Sequence, residues 1–199
     1  AEVVRIKISA GKSFNISPSC LETNWSAPSV KVHQRSNSTL IESDELFVEV
    51  HHSPFNIKIS RSDGSLVLDG YGSSFYKQLN NGFELSRQLQ PEDKIYGLGQ
   101  KTGSFNRQAQ SYVNWNTDIL SDDPLKPTEK HAFDVDFDPY YMTIPFYIHL
   151  NSETQQAAGF FIDNLSRSEF SFTKPDNAIH AKFDFGQYTE YIFNSPQIT

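Results

Sequence analysis

The sequence predicts an all-β protein, an antiparallel sandwich of two sheets with few or no helices. Apolar and polar residues alternate with a period of two in many short segments, which Ser, Asn, Asp, Gly or Pro separate. No stretch of about eleven residues places apolar side chains at helical spacing behind a capping residue. The 16 Phe and 9 Tyr suit half-buried pleated surfaces that face each other across a core.

The alternating segments define the predicted strands. One hairpin is especially clear, because the segments 55–59 and 66–68 alternate and a Ser62-Asp63-Gly64 turn separates them. The other predicted strands lie at residues 4–8, 46–50, 144–150, 158–162, 179–185 and 188–193. Their short length and regular turn signals favour antiparallel pairing.

A long polar segment interrupts this pattern. Residues 101 to about 140 are rich in Asn, Asp, Gln, Ser and Pro and are predicted to form one loop. Loops of this length are uncommon inside compact domains and often carry function. Residues 1–194 are assigned to the sandwich and residues 195–199 to the start of a linker, because Asn194-Ser195-Pro196 resembles a turn.

Composition argues against several classes of function. The formal charge is -7, so a surface that tracks phosphates would oppose the field of the protein itself, and nucleic acid is not expected as a partner. A single cysteine permits no intrachain disulfide. No apolar run approaches the roughly 18 residues of a membrane helix, so no membrane partner is expected.

The glycine-rich segment 97–103 resembles a phosphate-binding loop only superficially. A Walker loop requires Gly directly before Lys, and Gln100 precedes Lys101 here. Thr102 occupies the third glycine position of a dinucleotide fingerprint. We interpret the segment as a glycine-rich exit from a strand, and no cofactor is predicted.

Asp134, Asp136 and Asp138 resemble the start of a calcium loop. Pro139 stands in place of the turn glycine, which excludes an EF-hand. The three acids are interpreted as a solvated acidic edge, with a calcium site of another kind as the less favoured alternative. The six histidines lack the spacing of zinc ligands, so no metal site is predicted.

An aromatic and amide-rich cluster, Tyr112-Val113-Asn114-Trp115-Asn116-Thr117-Asp118, lies inside the polar segment. Aromatic faces stack on sugar rings, and amide or carboxylate groups match the hydrogen bonds of hydroxyl groups. Packing of Trp115 and turn formation by Asn116 and Asp118 explain the same residues about equally well. Composition alone leaves both interpretations open.

Several segments in series resemble the N-terminal domain of glycoside hydrolase family 31. They read YGLGQKTG at 96–103, WNTD at 115–118, DPYY at 138–141, IPFY at 144–147 and GFFIDN at 159–164. The resemblance implies a two-sheet sandwich of the galactose-mutarotase-like type, packed against a (β/α)8 barrel that carries the two catalytic aspartates. Met142 is the only methionine, so the Trp-x-Asp-Met-Asn-like nucleophile motif is missing, and no catalytic residue is expected in this chain.

The resemblance implies the non-catalytic N-terminal domain of a retaining α-glucosidase, which hydrolyses terminal α-linked glucose from oligosaccharides. Asp118 would accept hydrogen bonds from sugar hydroxyls, Asn116 and Thr117 would position it, and Trp115 would line or brace the pocket. The expected partner is an α-glucoside oligosaccharide held together with the barrel. The fragment alone should be inactive, and the sequence is expected to stop about where the linker to the barrel begins.

Other functions remain open at this point. Gln100 replaces the more usual Glu of the family, so an α-xylosidase, an α-glucan lyase or a transglucosidase is an alternative within it. A stand-alone carbohydrate-binding sandwich would use the same aromatic and amide residues. An aldose-epimerase-like enzyme would need a histidine acid, such as His149 or His180, opposite a Glu base.

Overall fold

The computed structural model describes residues 3–9, 11, 25–26, 28–70, 75–119, 137–173 and 177–195. These ranges contain fifteen strands and no helix. A helix with the length and hydropathy needed to cross a membrane is accordingly not found among them. The all-β class predicted from the alternating segments is confirmed.

In chain order, the strands are β1 (Val3–Ile8), β2 (Lys31–Gln34), β3 (Ser38–Glu42), β4 (Leu46–His52), β5 (Phe55–Arg61), β6 (Leu66–Asp69), β7 (Tyr76–Gln78), β8 (Phe83–Gln88), β9 (Lys94–Gly99), β10 (Ser111–Asn114), β11 (Thr143–Leu150), β12 (Ala157–Ile162), β13 (Ser168–Ser171), β14 (Ala178–Phe183) and β15 (Tyr188–Ser195).

The strands form three antiparallel sheets of five strands each. Sheet I has the order β1-β15-β12-β11-β9, and its first pair joins Val3 to Phe193. Sheet II has the order β10-β13-β14-β8-β7. Sheet III is a meander in which β2 to β6 pair in sequence order. An isolated bridge between Gly70 and Arg87 connects the end of sheet III to β8 of sheet II.

The structure corrects three details of the predicted strands. Three sheets replace the predicted two, because alternation identifies strands but not the ladder that each one joins. Strand β14 ends at Phe183 and not at residue 185, and the exposed Phe185 lies in the turn that follows. Strand β10 lies inside the segment predicted as one loop, since its four residues pair with β13.

One hydrophobic core joins the three sheets. The buried cluster includes Ile6 of sheet I, Phe83 of sheet II and Ile57 of sheet III. Stacked aromatic pairs fill much of it, including Phe83 and Phe183 with ring centroids 4.8 Å apart. Such pairs contribute beyond their buried area. The abundance of Phe and Tyr in the sequence is therefore explained mainly by packing.

Two buried arginines connect the sheets through this core. Arg87 of β8 donates to Glu190 of β15 at 2.6 Å and to the Tyr147 hydroxyl of β11 at 2.5 Å. Burial alone would lower the pKa of Arg87, but Glu190 and the nearby tyrosines raise it overall. Arg61 of β5 donates to the Asn194 side chain at 2.8 Å and to the Ala157 carbonyl at 2.9 Å. These bonds fix sheet I against sheets II and III.

Candidate functional site

The segment 115–118 leaves β10 and crosses to the start of β11. The backbone N–H of Thr117 donates to the Tyr140 carbonyl at 3.0 Å. Asn116 Oδ1 accepts from the backbone N–H of Thr143 at 2.7 Å and from its hydroxyl at 2.9 Å. Thr117 Oγ1 donates to the Trp115 carbonyl at 3.2 Å. The segment is thus held at both of its middle residues, and Asn116 acts as its main anchor.

The ends of this segment face outward. The Trp115 side chain is 51% exposed, and Asp118 is exposed as well. Partial desolvation, the Asp118 carboxylate and Tyr140 each raise the pKa of Tyr141. Of the four predicted binding residues, Trp115 and Asp118 are therefore accessible to a ligand. The side-chain carbonyl of Asn116, in contrast, already accepts hydrogen bonds from Thr143.

A buried ion pair supports the segment from below. Lys101 Nζ donates to Asp138 Oδ1 at 2.8 Å and to the Val113 carbonyl at 2.5 Å. Asp138 Oδ2 accepts from the Val113 N–H. The Lys101 side chain is 1% exposed and the Asp138 side chain 15% exposed. Burial lowers the pKa of Lys101, and Asp138 offsets part of that shift.

The predicted acidic edge is wrong for Asp138, because its carboxylate is paired with Lys101 and is not solvated. Asp134 and Asp136 lie outside the described residues. Among the residues described, no group of three or more His, Cys, Asp or Glu side chains could hold a metal ion. Lys101 was not predicted as a residue of the site, because its partner, Asp138, lies 37 positions away in the sequence.

The glycine-rich segment 97–103 is a strand exit, as interpreted. Gly97, Leu98 and Gly99 all have positive φ, at 126°, 67° and 78°. A Cβ atom on Gly97 would lie 2.5 Å from the Phe146 carbonyl oxygen, so only glycine fits there. The register of β9 against β11 shifts at this point. The resulting bulge turns the chain so that Lys101 enters the interior.

Arg107 holds the remainder of this segment in place. The guanidinium donates to the carbonyls of Ser104 at 2.7 Å, Thr102 at 3.3 Å and Gly97 at 3.3 Å. It also lies 5.3 Å from the ring centroid of Tyr112 in β10. The Thr102 hydroxyl donates to the Phe137 carbonyl at 2.8 Å. The segments 97–103, 111–114 and 137–141 therefore form one framework beneath the candidate site.

A pocket of about 270 Å³ opens beside Trp115, and we call it the Asn114 pocket. It is lined by Asn114, Trp115, Asn116, Thr143, Pro145, Asn164, Leu165, Ser166 and Ser168. The structure thus brings two of the four predicted residues, Trp115 and Asn116, to this pocket. Thr117 and Asp118 do not line it. Asn114 belongs to the aromatic and amide-rich cluster seen in the sequence, but no binding role was predicted for it, because an asparagine at a strand end resembles an ordinary turn residue.

The two histidines considered for an epimerase lie in different surroundings. His149 Nε2 is 2.7 Å from Asp93 Oδ2, and Asp93 is almost fully buried. Burial by itself would raise the pKa of Asp93, but hydrogen bonds from His149 and from the backbones of Gln90 and Ser152 lower it overall. The ring of His180 contacts Ser86 Oγ at 3.1 Å. The carboxylate beside His149 thus comes from Asp93 and not from the glutamate that an epimerase would need.

Comparison with known proteins places the chain in a family. Residues 1–171 match the profile of the glycosyl hydrolase 31 N-terminal galactose mutarotase-like domain. A relative, alpha-glucosidase 2 from Bacillus thermoamyloliquefaciens, is 22% identical over 165 residues, which cover 83% of this chain and 19% of the relative.

Solved structures agree with this match. A GH31 dextranase from Flavobacterium johnsoniae, complexed with isomaltotriose, superposes with a TM-score of 0.80 at 26% identity, covering 98% of this chain and 22% of that one. A GH31 α-xylosidase from a soil metagenome has a TM-score of 0.71 at 16% identity, covering 97% of this chain and 28% of that one. The chain therefore spans 19% to 28% of the length of these proteins.

Proposed function

Because the chain belongs to the family of glycosyl hydrolase 31 N-terminal galactose mutarotase-like domains, we propose that it is the non-catalytic N-terminal domain of a retaining α-glucosidase. The α-glucosidase relative and the dextranase neighbour both support α-linked glucose as the substrate class. The catalytic carboxylates belong to a (β/α)8 barrel that packs against this domain. By itself, the domain does not hydrolyse glycosides.

The proposed contribution to the substrate pocket is the segment 115–118. One observation carries this role: an exposed tryptophan and an exposed carboxylate stand on a framework fixed by buried hydrogen bonds. Rigid support matters, because a binding group that is held in place loses little freedom when substrate binds. Asp118 accepts hydrogen bonds from sugar hydroxyls, while Trp115 offers its ring face to the sugar.

Asn116 and Thr117 act as positioning residues. The side-chain carbonyl of Asn116 is engaged by Thr143, and the backbone of Thr117 by Tyr140, so both tie the segment to the framework, and the exposed Asp118 faces the substrate. This division of roles separates the two inner residues, which set geometry, from the two outer residues, which contact the sugar.

Kinetics of the barrel-containing enzyme test this proposal. Asp118→Ala should reduce kcat/KM on maltose by about tenfold to a hundredfold, the usual effect of losing a hydrogen bond to a charged group. Asp44→Ala is the matched control, because Asp44 is an exposed aspartate in the turn between β3 and β4. Unchanged maltose kinetics in the Asp118 variant would contradict the proposed role.

The identity of the enzyme is tested separately. Activity of the same enzyme on 4-nitrophenyl α-glucoside should exceed its activity on the α-xyloside. The 199-residue chain alone should hydrolyse neither. Preference for the xyloside would replace the α-glucosidase assignment with the α-xylosidase alternative, and hydrolysis by the isolated chain would refute the non-catalytic role.

A further inference from the structure

We propose that the Asn114 pocket binds a pyranose ring, with the Asn114 amide as its principal hydrogen-bonding group. The proposal rests on the proposed function for its choice of an α-glucoside as ligand. It goes beyond that function because its principal group is the Asn114 amide, to which the proposed function gives no role, and because Asp118 does not line this pocket, although Trp115 and Asn116 do. The Asn114 pocket is thus a second point of contact with a glycan, and it adjoins the segment 115–118 at Trp115 and Asn116.

The buried amide of Asn114 is the observation that points to a ligand. Asn114 is only 4% exposed, yet neither Oδ1 nor Nδ2 has a hydrogen-bond partner in the part of the chain that the structure describes. A buried polar group without a partner destabilises the folded state, and native proteins contain few of them. An apolar side chain of similar shape would be favoured at this position if packing were its only role. A ligand that restores the missing bonds accounts for the amide.

The position of Asn114 in the fold makes it a rigid group. It is the last residue of β10, and it pairs with Ser168 of β13. The preceding residue, Val113, is bonded through its backbone to both Lys101 and Asp138. The amide is thus fixed at the base of the pocket before any ligand arrives, which reduces the entropy lost on binding.

The walls of the pocket supply an apolar face. Trp115 is 51% exposed and Leu165 is 82% exposed, and both line the opening. The amide of Asn164 is engaged within the protein, because its Nδ2 donates to the Phe185 carbonyl and its Oδ1 accepts from the Ser166 N–H. The Asn114 amide, which has no hydrogen-bond partner among the described residues, and the exposed ring of Trp115 therefore define the chemistry of the pocket.

This chemistry selects a neutral polyhydroxylated ring. No charged side chain is present among the lining residues, so a phosphate, a carboxylate or a cation would lose hydration without gaining a partner. The amide offers one acceptor and two donors, which match adjacent hydroxyl groups, and the indole packs against the apolar face of a sugar. The volume of about 270 Å³ lies just below the usual range for small-molecule pockets, which suits a single ring.

Chemical-shift titration of the 199-residue chain tests the proposal, because every lining residue belongs to this chain. The probe is maltose, added to ¹⁵N-labelled protein. The side-chain NH₂ of Asn114 and the indole N–H of Trp115 should shift together, with weak but saturable binding. Asn114→Leu should weaken this binding by about tenfold or more, the effect of losing an amide that bonds two hydroxyls.

Thermal unfolding distinguishes a ligand-binding amide from a structural one. Asn114→Leu should leave the Tm unchanged or raise it, because the amide has no hydrogen-bond partner to lose among the residues that the structure describes. Asn151→Leu is the matched control, since Asn151 Oδ1 accepts three hydrogen bonds in the turn after β11, from the Glu153 and Thr154 N–H groups and the Thr154 hydroxyl. That variant should lower the Tm and leave maltose binding intact.

Three results would overturn the proposal: maltose shifts that miss Asn114 and Trp115, undiminished binding by Asn114→Leu, or a clear fall in the Tm of that variant. Failure here is separable from failure of the proposed function. If Asp118→Ala slows the barrel-containing enzyme while Asn114→Leu still binds maltose normally, the proposed function stands and this inference falls. The reverse pattern would support a glycan site on a domain whose segment 115–118 has no kinetic role.

Discussion

Replacing Lys101 by methionine removes the cation beneath the candidate site while keeping most of its apolar stem. The change removes a 2.8 Å bond to Asp138 and a 2.5 Å bond to the Val113 carbonyl. Breaking a buried ion pair from one side costs about 3–5 kcal/mol of stability, because the remaining charge has no partner. Asp138 keeps 15% exposure and its bond from the Val113 N–H, which places the expected loss near the lower end, at about 3 kcal/mol.

Urea unfolding followed by tryptophan fluorescence measures this loss. The double variant Lys101→Met/Asp138→Asn should recover about 1–2 kcal/mol, since the asparagine carbonyl can still accept from Val113 and no charge is left unpaired. Lys77→Met is the control: Lys77 and Glu84 form a pair of similar length, 3.2 Å, with side chains 69% and 37% exposed. An exposed pair contributes at most about 1 kcal/mol. Equal losses for Lys101→Met and Lys77→Met would refute the claim that burial makes the Lys101 pair strong.

Two further predictions concern the framework of the fold. The folded-state pKa of Asp93 lies below its ordinary value of about 3.9. The ionised Asp93 therefore contributes its full stabilisation above about pH 4, and this stabilisation is lost as the pH falls below that value. Urea midpoints of wild type and Asp93→Asn should therefore converge on acidification, and a constant difference would contradict this. Gly97→Ala should destabilise by more than about 3 kcal/mol, because φ is 126° and the new Cβ would meet backbone at 2.5 Å. Gly64→Ala, at φ 86° in open space, should cost only about 1 kcal/mol, and equal Tm losses for the two would refute the steric explanation.

The strands that the sequence predicted well are those whose buried side chains are plainly apolar. In β5, Ile57 and Ile59 point to the core while Lys58 faces out, so alternation located the hairpin. In β8, the buried face reads Phe83, Leu85 and then Arg87, and a charged residue ends the apolar pattern. The reason for that arginine is Glu190, which lies 103 positions away and cannot be paired with it from sequence.

The candidate site was predictable only in part for the same reason. The segment 115–118 was found through its resemblance to a family and through the chemistry of its side chains. Its support by Lys101 and Asp138 depends on a contact between distant segments, which composition does not reveal. The burial of Asn114 was equally hidden, because asparagine at the end of a strand is usually exposed.

The pairing of β1 with β15 has a consequence for how the chain folds during its synthesis. Sheet III joins neighbours in sequence, so its hairpins can close as soon as they leave the ribosome. Sheet I cannot be completed at that stage, because both β1 and β12 pair with β15. Val3 in β1, for example, cannot pair until Phe193 in β15 has been synthesised. During synthesis, β1 and β12 are unsatisfied edges that invite pairing with other nascent chains. Strand β15 therefore completes sheet I, and interrupted translation before residue 188 would release a polypeptide prone to aggregation.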